Sequence, residues 1–171
     1  MKSIIEKGTD KAEAFATYGP WTTRHPDNVT QPLILAAVKA LRDDPSIGKI
    51  GAVGFCWGGR QVALLGDESC TQKVDAIVSC HPAGLAIPSE VENIVKPISI
   101  QVGEIDSFFD KDQAEKVRQV LMDKKTPYEV VVYNHMIHGF AVRGDLSKKE
   151  QVDAKERCLS QTINWFNVHL A

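Results

Sequence analysis

At 171 residues and 43% hydrophobic composition, the chain has the size of one domain around one buried core. A formal charge of −2 leaves no basic surplus for nucleic acid or an anionic membrane, and no apolar run approaches the roughly 20 residues that a membrane span needs. Four scattered cysteines with no metal-site spacing, and an amino terminus (MKSIIEKGTDK) with no apolar segment, point to a cytoplasmic rather than a secreted protein.

Residues 1–29 carry the weakest pattern. A short helix is expected over residues 10–18, and Gly19-Pro20 and His25-Pro26 read as breaks, so this part is expected to be irregular. From residue 30 the pattern sharpens. Thr30 reads as an N-cap with Pro32 in the first turn, Leu33, Ile34, Ala37, Val38 and Leu41 recur at helical spacing, and Asp43-Asp44-Pro45 ends the helix. Residues 50–55 form an apolar run expected of a strand buried on both faces. A glycine-rich turn follows, and then a helix from Arg60. Residues 74–80 (VDAIVSC) predict a second strand ending at His81-Pro82, and residues 98–102 a third behind Pro97. Asp110 and Gln113 have capping-box spacing ahead of a helix carrying Ala114, Val117, Val120 and Leu121. Residues 128–133 (YEVVVY) predict a fourth strand. After a loop over 134–146, Ser147 and Glu150 read as a second capping box before a final helix carrying Val152, Leu159, Ile163 and Phe166. The alternation predicts one α/β domain over residues 1–171, with a parallel sheet of about four strands flanked by helices.

In such sheets ligands bind beyond the carboxyl ends of the strands, and there the reactive residues gather. Gly54-Phe55-Cys56-Trp57-Gly58 has the G-x-nucleophile-x-G pattern of a sharp strand-to-helix turn, in which side chains at Gly54 and Gly58 are expected to collide with backbone. The turn puts the Cys56 sulfur at a helix amino terminus, which favours the thiolate, and makes the Trp57 N–H a candidate oxyanion donor. Asp106 follows the third strand and His138 the fourth. Nucleophile, acid and base thus occur in the chain order that belongs to the α/β-hydrolase fold, and the three types suit acyl transfer: a thiolate attacks a carbonyl, an imidazole protonates the leaving oxygen, and a carboxylate fixes the ring tautomer.

The segments GFCWGG, GEIDSFF and HGFAVRGD resemble the three signatures of the dienelactone hydrolase family, the Cys-nucleophile branch of the α/β-hydrolases, and the likeness runs from about residue 30 to the end. It implies Cys56 as nucleophile, Asp106 as acid and His138 as base in a hydrolase of small esters or lactones, often ones bearing a carboxylate, with no metal or organic cofactor. Arg143 is then a candidate for the substrate carboxylate, with a solvated arginine as the alternative. His81 and Trp57 are candidates for the pocket mouth, with packing as the alternative. His135 lies outside the motif and reads as surface. Complete family members have further strands before the helix at Thr30. The resemblance therefore implies a truncated α/β-hydrolase that lacks the loop giving the second oxyanion donor and bares one edge of the sheet. A homodimer covering Ile50–Phe55 is expected. Two other classes stay open: a catalytically weak remnant serving as a binding or assembly module, and a nucleotide-binding turn, for which the G-x-x-x-G-G spacing and the position of Asp75 fit poorly. Thiol peroxidase chemistry lacks an evident resolving cysteine.

Overall fold

The computed structural model describes residues 11–171. Its elements are α1 (Lys11–Arg24), α2 (Asp27–Asp43), β1 (Gly51–Phe55), α3 (Trp57–Leu64), β2 (Ala76–Cys80), β3 (Ile98–Gly103), α4 (Lys111–Met122), β4 (Tyr128–Tyr133) and α5 (Lys149–His169). The four strands form one parallel sheet in the order β1-β2-β3-β4, so each crossover returns to the neighbouring strand.

Alternation along the strands sends side chains to two cores. On one face Ile77, Ile98, Ile100 and Val102 meet Val38 of α2, Ala63 of α3, and Ala114, Val117 and Leu121 of α4. On the other, Val78, Cys80 and Tyr133 meet Ala154, Cys158 and Trp165 of α5. Helices thus cover both faces. The register pairs Phe55 with Cys80 and Gly103 with Tyr133, which brings the carboxyl ends of all four strands to one edge. Among the described residues no helix is long and apolar enough to cross a membrane.

Four local expectations are corrected. The segment before residue 30 is helical, and α1 runs through Pro20 to Arg24; tertiary packing of Tyr18 and Trp21 overrides the proline signal. The expectation for residue 10 lies outside the described residues. The next helix starts at Asp27, because the Pro26 carbonyl already accepts from the Thr30 N–H at 3.1 Å; Thr30 is inside the helix, its hydroxyl on the same carbonyl. The Asp110–Gln113 box forms, whereas the Ser147 box does not, because the Ser147 hydroxyl bonds Asp145 at 2.6 Å and Lys148 takes the N-cap position. Finally, β1 is not buried on both faces. It is the edge strand, as the resemblance implies, with Val53 41% and Phe55 38% exposed; α5 packs chiefly on β2 and β3 and reaches β1 at Gly51 through Phe166.

Candidate active site

Between β1 and α3 the chain reverses in one residue. Cys56 has φ 56 and ψ −122, a conformation that ordinary L-residues avoid, and such outliers gather at functional turns. Gly54 is required there: a Cβ would lie 2.0 Å from the Gly58 carbonyl oxygen. Gly58 is not, since a Cβ would meet nothing within 4 Å, so the steric expectation holds for only one of the two glycines. Close approach of α3 to β2 falls to Gly59, where a Cβ would sit 3.1 Å from the Cys80 oxygen.

The strained residue is held from both sides. The Cys56 N–H donates to the Cys80 carbonyl at 3.1 Å and to His81 Nδ1 at 3.2 Å, and the Cys56 carbonyl accepts from Gly59 and Ala83. His81 is fully buried beneath the turn, which corrects the expectation that it lines the pocket mouth. As an acceptor at Nδ1 it is the Nε2–H tautomer. Burial, reinforced by the charge of His138, depresses its pKa to about 3, so the ring stays neutral.

The loops after β3 and β4 are fastened to each other. A Cβ at Gly103 would fall 2.3 Å from the Met136 oxygen, the Ile105 N–H donates to that oxygen at 3.1 Å, and the His135 N–H donates to Glu104 at 3.0 Å. This sets Asp106 against His138. His138 Nδ1 lies 3.0 and 2.9 Å from the two Asp106 carboxylate oxygens, and Asp106 also accepts from the Phe108 and Phe109 N–H groups at 2.8 and 3.2 Å. With Nδ1–H committed to a carboxylate held by backbone, Nε2 is the ring nitrogen that Asp106 leaves open. It is buried, and no oxygen or nitrogen among the described residues is bonded to it.

Cys56 stands close enough to His138 for each to move the other's ionisation. Burial pushes the Cys56 thiol up, but His138, the Trp57 N–H and the Arg143 charge together outweigh it and hold the pKa below its ordinary value. Burial works against the His138 imidazolium, yet Asp106 and Cys56 raise its pKa to about 9. The arrangement favours a thiolate facing an imidazolium. It can present a nucleophile and, in the same ring, a proton for a leaving group.

Of the remaining candidates, Arg143 is exposed and contributes positive charge toward the sulfur, with its backbone N–H on the Gly139 carbonyl at 2.7 Å. His135 is 87% exposed beside Glu104, a surface position. Arg60 joins the start of α2 to the loop after β2 through Asp27 and Glu90. Asp75 is spent on the Ile50 N–H (2.8 Å) and Arg42 (2.6 Å), which removes the acidic residue a nucleotide reading needs.

Two residues near the site were not legible in the sequence. Tyr18 donates its hydroxyl to the Ala83 carbonyl and packs on Phe108, and Trp21 packs on Trp57. Their i, i+3 spacing was the available signal, and Gly19-Pro20 between them obscured it.

The family model described as the dienelactone hydrolase family matches residues 4–170. Among curated proteins the chain is 31% identical over 150 residues to the hydrolase pyvD of Aspergillus violaceofuscus, covering 88% of this chain and 60% of that protein. It is 26% identical over 165 residues to the mouse carboxymethylenebutenolidase homolog, covering 94% and 65%. The chain thus spans about 60% of the length of the curated relatives it matches. Among solved structures, the carboxylesterase Cest-2923 of Lactobacillus plantarum superposes with a TM-score of 0.60 at 15% identity, over 78% of this chain and 65% of that one. A dienelactone hydrolase-like promiscuous phosphotriesterase from metagenomic libraries gives 0.59 at 23%, over 78% and 59%. At these identities the structures establish the α/β-hydrolase fold.

Proposed function

This chain belongs to the dienelactone hydrolase family, and we propose that it hydrolyses small carboxylic esters or lactones through Cys56, His138 and Asp106. The observation that carries this reading is the Asp106 carboxylate bonded at 2.9 Å to His138 Nδ1, with the ring's other nitrogen buried and the ring acting on a thiol of lowered pKa. The Cys56 thiolate attacks the carbonyl carbon and forms the C–S bond, while the carbonyl oxygen takes the electron pair near the Trp57 N–H. The intermediate collapses as His138 Nε2–H protonates the departing alkoxide, leaving an acyl thioester. Nε2, now a base, takes a proton from water as the hydroxide adds to the thioester. Collapse returns the thiolate and the imidazolium and releases the acid. The Arg143 charge near the sulfur supports substrates bearing a carboxylate. The scattered spacing of Cys56, Cys70, Cys80 and Cys158 supports a reducing compartment.

The test is titration with iodoacetamide. Turnover of a p-nitrophenyl ester is expected to fall in proportion to alkylation at Cys56, reaching zero at one equivalent. Full turnover with Cys56 carboxamidomethylated, as mapped by peptide mass, overturns the reading. The exposed apolar edge at Val53 and Phe55 supports a homodimer in which a second copy covers the Ile50–Phe55 side. Sedimentation is expected to give twice the chain mass at micromolar concentration, and a monomer there counts against the dimer.

A further inference from the structure

Aromatic side chains form an unbroken chain of contacts from the base to the nucleophile's neighbour. The Phe108 ring lies 4.7 Å from the His138 ring, Tyr18 lies 5.3 Å from Phe108, Trp21 lies 6.3 Å from Tyr18, and Trp57, next to Cys56, lies 5.2 Å from Trp21. A stripe of this kind is more often core than binding surface, and exposure decides between the two. Phe109, one residue from Phe108, is fully buried and belongs to the sheet core. Tyr18, Trp21, Trp57 and Phe108 are all only half-buried, as is Cys56, which stands directly before Trp57 and lies close enough to Tyr18 to add to burial in raising its pKa.

We infer that Tyr18 and Trp21 of α1, with Trp57 and Phe108, form an aromatic collar around Cys56 that selects substrates whose acyl group is itself aromatic. Two features fix the collar in place. The Tyr18 hydroxyl is bonded to the Ala83 carbonyl at 3.2 Å, which sets the angle of its ring, and Arg60 clamps the start of the neighbouring α2 through Asp27. The Tyr18–Phe108 and Trp21–Trp57 pairs meet edge to face, at 70° and 80° between planes. The four rings thus meet both by edge and by face, Trp21 also stacking on His25 at 4.3 Å, and an aromatic ring entering beside them finds offset or edge-on partners. An alkyl acyl group of equal size gains only the area it buries. Trp21 and Tyr18 are specificity-determining here and take no part in bond making.

The collar rests on Cys56 being the reactive thiol, so its test uses a reaction that needs the thiol and not turnover. Alkylation rates of Cys56 by N-benzyl iodoacetamide and N-butyl iodoacetamide are compared as a ratio, alongside kcat/KM for p-nitrophenyl benzoate over p-nitrophenyl butyrate. In wild type both ratios are expected above one. Trp21→Leu, which keeps an apolar side chain against Trp57, is expected to lower both ratios by about 3- to 10-fold, the aromatic rates falling by more than the butyl and butyrate rates. Tyr18→Leu is expected to act in the same direction. A fall in the alkylation ratio with no ester turnover in any variant supports the collar and overturns the hydrolase reading. Ratios that stay constant while all rates fall, or all rise, overturn the collar, α1 then being a structural prop in the first case and a plug in the second. Melting curves confirm that each variant compared is folded, and Trp21→Phe replaces any that is not.

Discussion

Cys56→Ala is expected to reduce ester hydrolysis by at least about 10⁴-fold, to a residue of catalysis from binding and the Trp57 N–H alone. Alanine retains a Cβ, so the positive φ at position 56 costs the variant no more strain than the native residue bears. The backbone bonds from residue 56 to Cys80, His81, Gly59 and Ala83 involve no sulfur and survive the change. A large loss of turnover with an unchanged melting temperature therefore reports chemistry and not folding. The same variant separates the two readings of the chain. A binding or assembly module tolerates it, whereas a hydrolase does not. Steady-state kinetics on a p-nitrophenyl ester settles the matter, and activity within 10-fold of wild type removes Cys56 from the mechanism.

Much of this site could be read before any coordinates, for a physical reason. Parallel strands buried on both faces leave apolar runs, as at residues 76–80, or apolar residues alternating with hydrogen-bonded polar ones, as at residues 98–102 with Ser99 and Gln101, and the loops that follow them hold whatever reacts. Cys56, Asp106 and His138 each stand within a few residues of a strand end, and the crossovers carry those ends to one edge. The amino-terminal contribution was hidden because it rests on contacts between residues far apart in sequence. Tyr18 meets Phe108 and Ala83, and Trp21 meets Trp57, so no local pattern announces them. Pro20 gave a local signal of the wrong sign. His81 misled differently: a histidine at a strand end suggests a pocket, but its bond to the Cys56 N–H draws it under the turn. The apolar run at Ile50–Phe55 cannot by itself say whether its strand lies inside a sheet or at its edge; the exposure of Val53 and Phe55 follows only from the resemblance, which implies a bared edge there.

Asp106→Asn is expected to cost about 10⁴-fold in turnover while leaving the fold intact, because the amide can keep the hydrogen bonds from the Phe108 and Phe109 N–H groups. The loss has two parts. If the amide NH₂ faces the ring, His138 must offer it a lone pair at Nδ1, which moves the proton to Nε2 and takes away the base. If the amide oxygen faces the ring, the tautomer survives but the negative charge that stabilises the imidazolium is gone. The pH dependence exposes the second part. In wild type His138 titrates at about 9 because Asp106 and Cys56 together overcome its burial, and the thiol lies below its ordinary value in large part because that imidazolium is beside it. The thiolate–imidazolium pair is therefore populated above the lowered thiol pKa and is lost as the pH rises through about 9. Removing the carboxylate lowers the imidazole pKa, so the ring is neutral where the thiol once had a cation next to it, and the thiol pKa rises. The midpoint of the iodoacetamide rate against pH is expected to move upward by about one unit in Asp106→Asn. A midpoint that stays in place, with turnover still reduced, assigns Asp106 to ring orientation alone. A midpoint and a rate that both match wild type remove it from the relay.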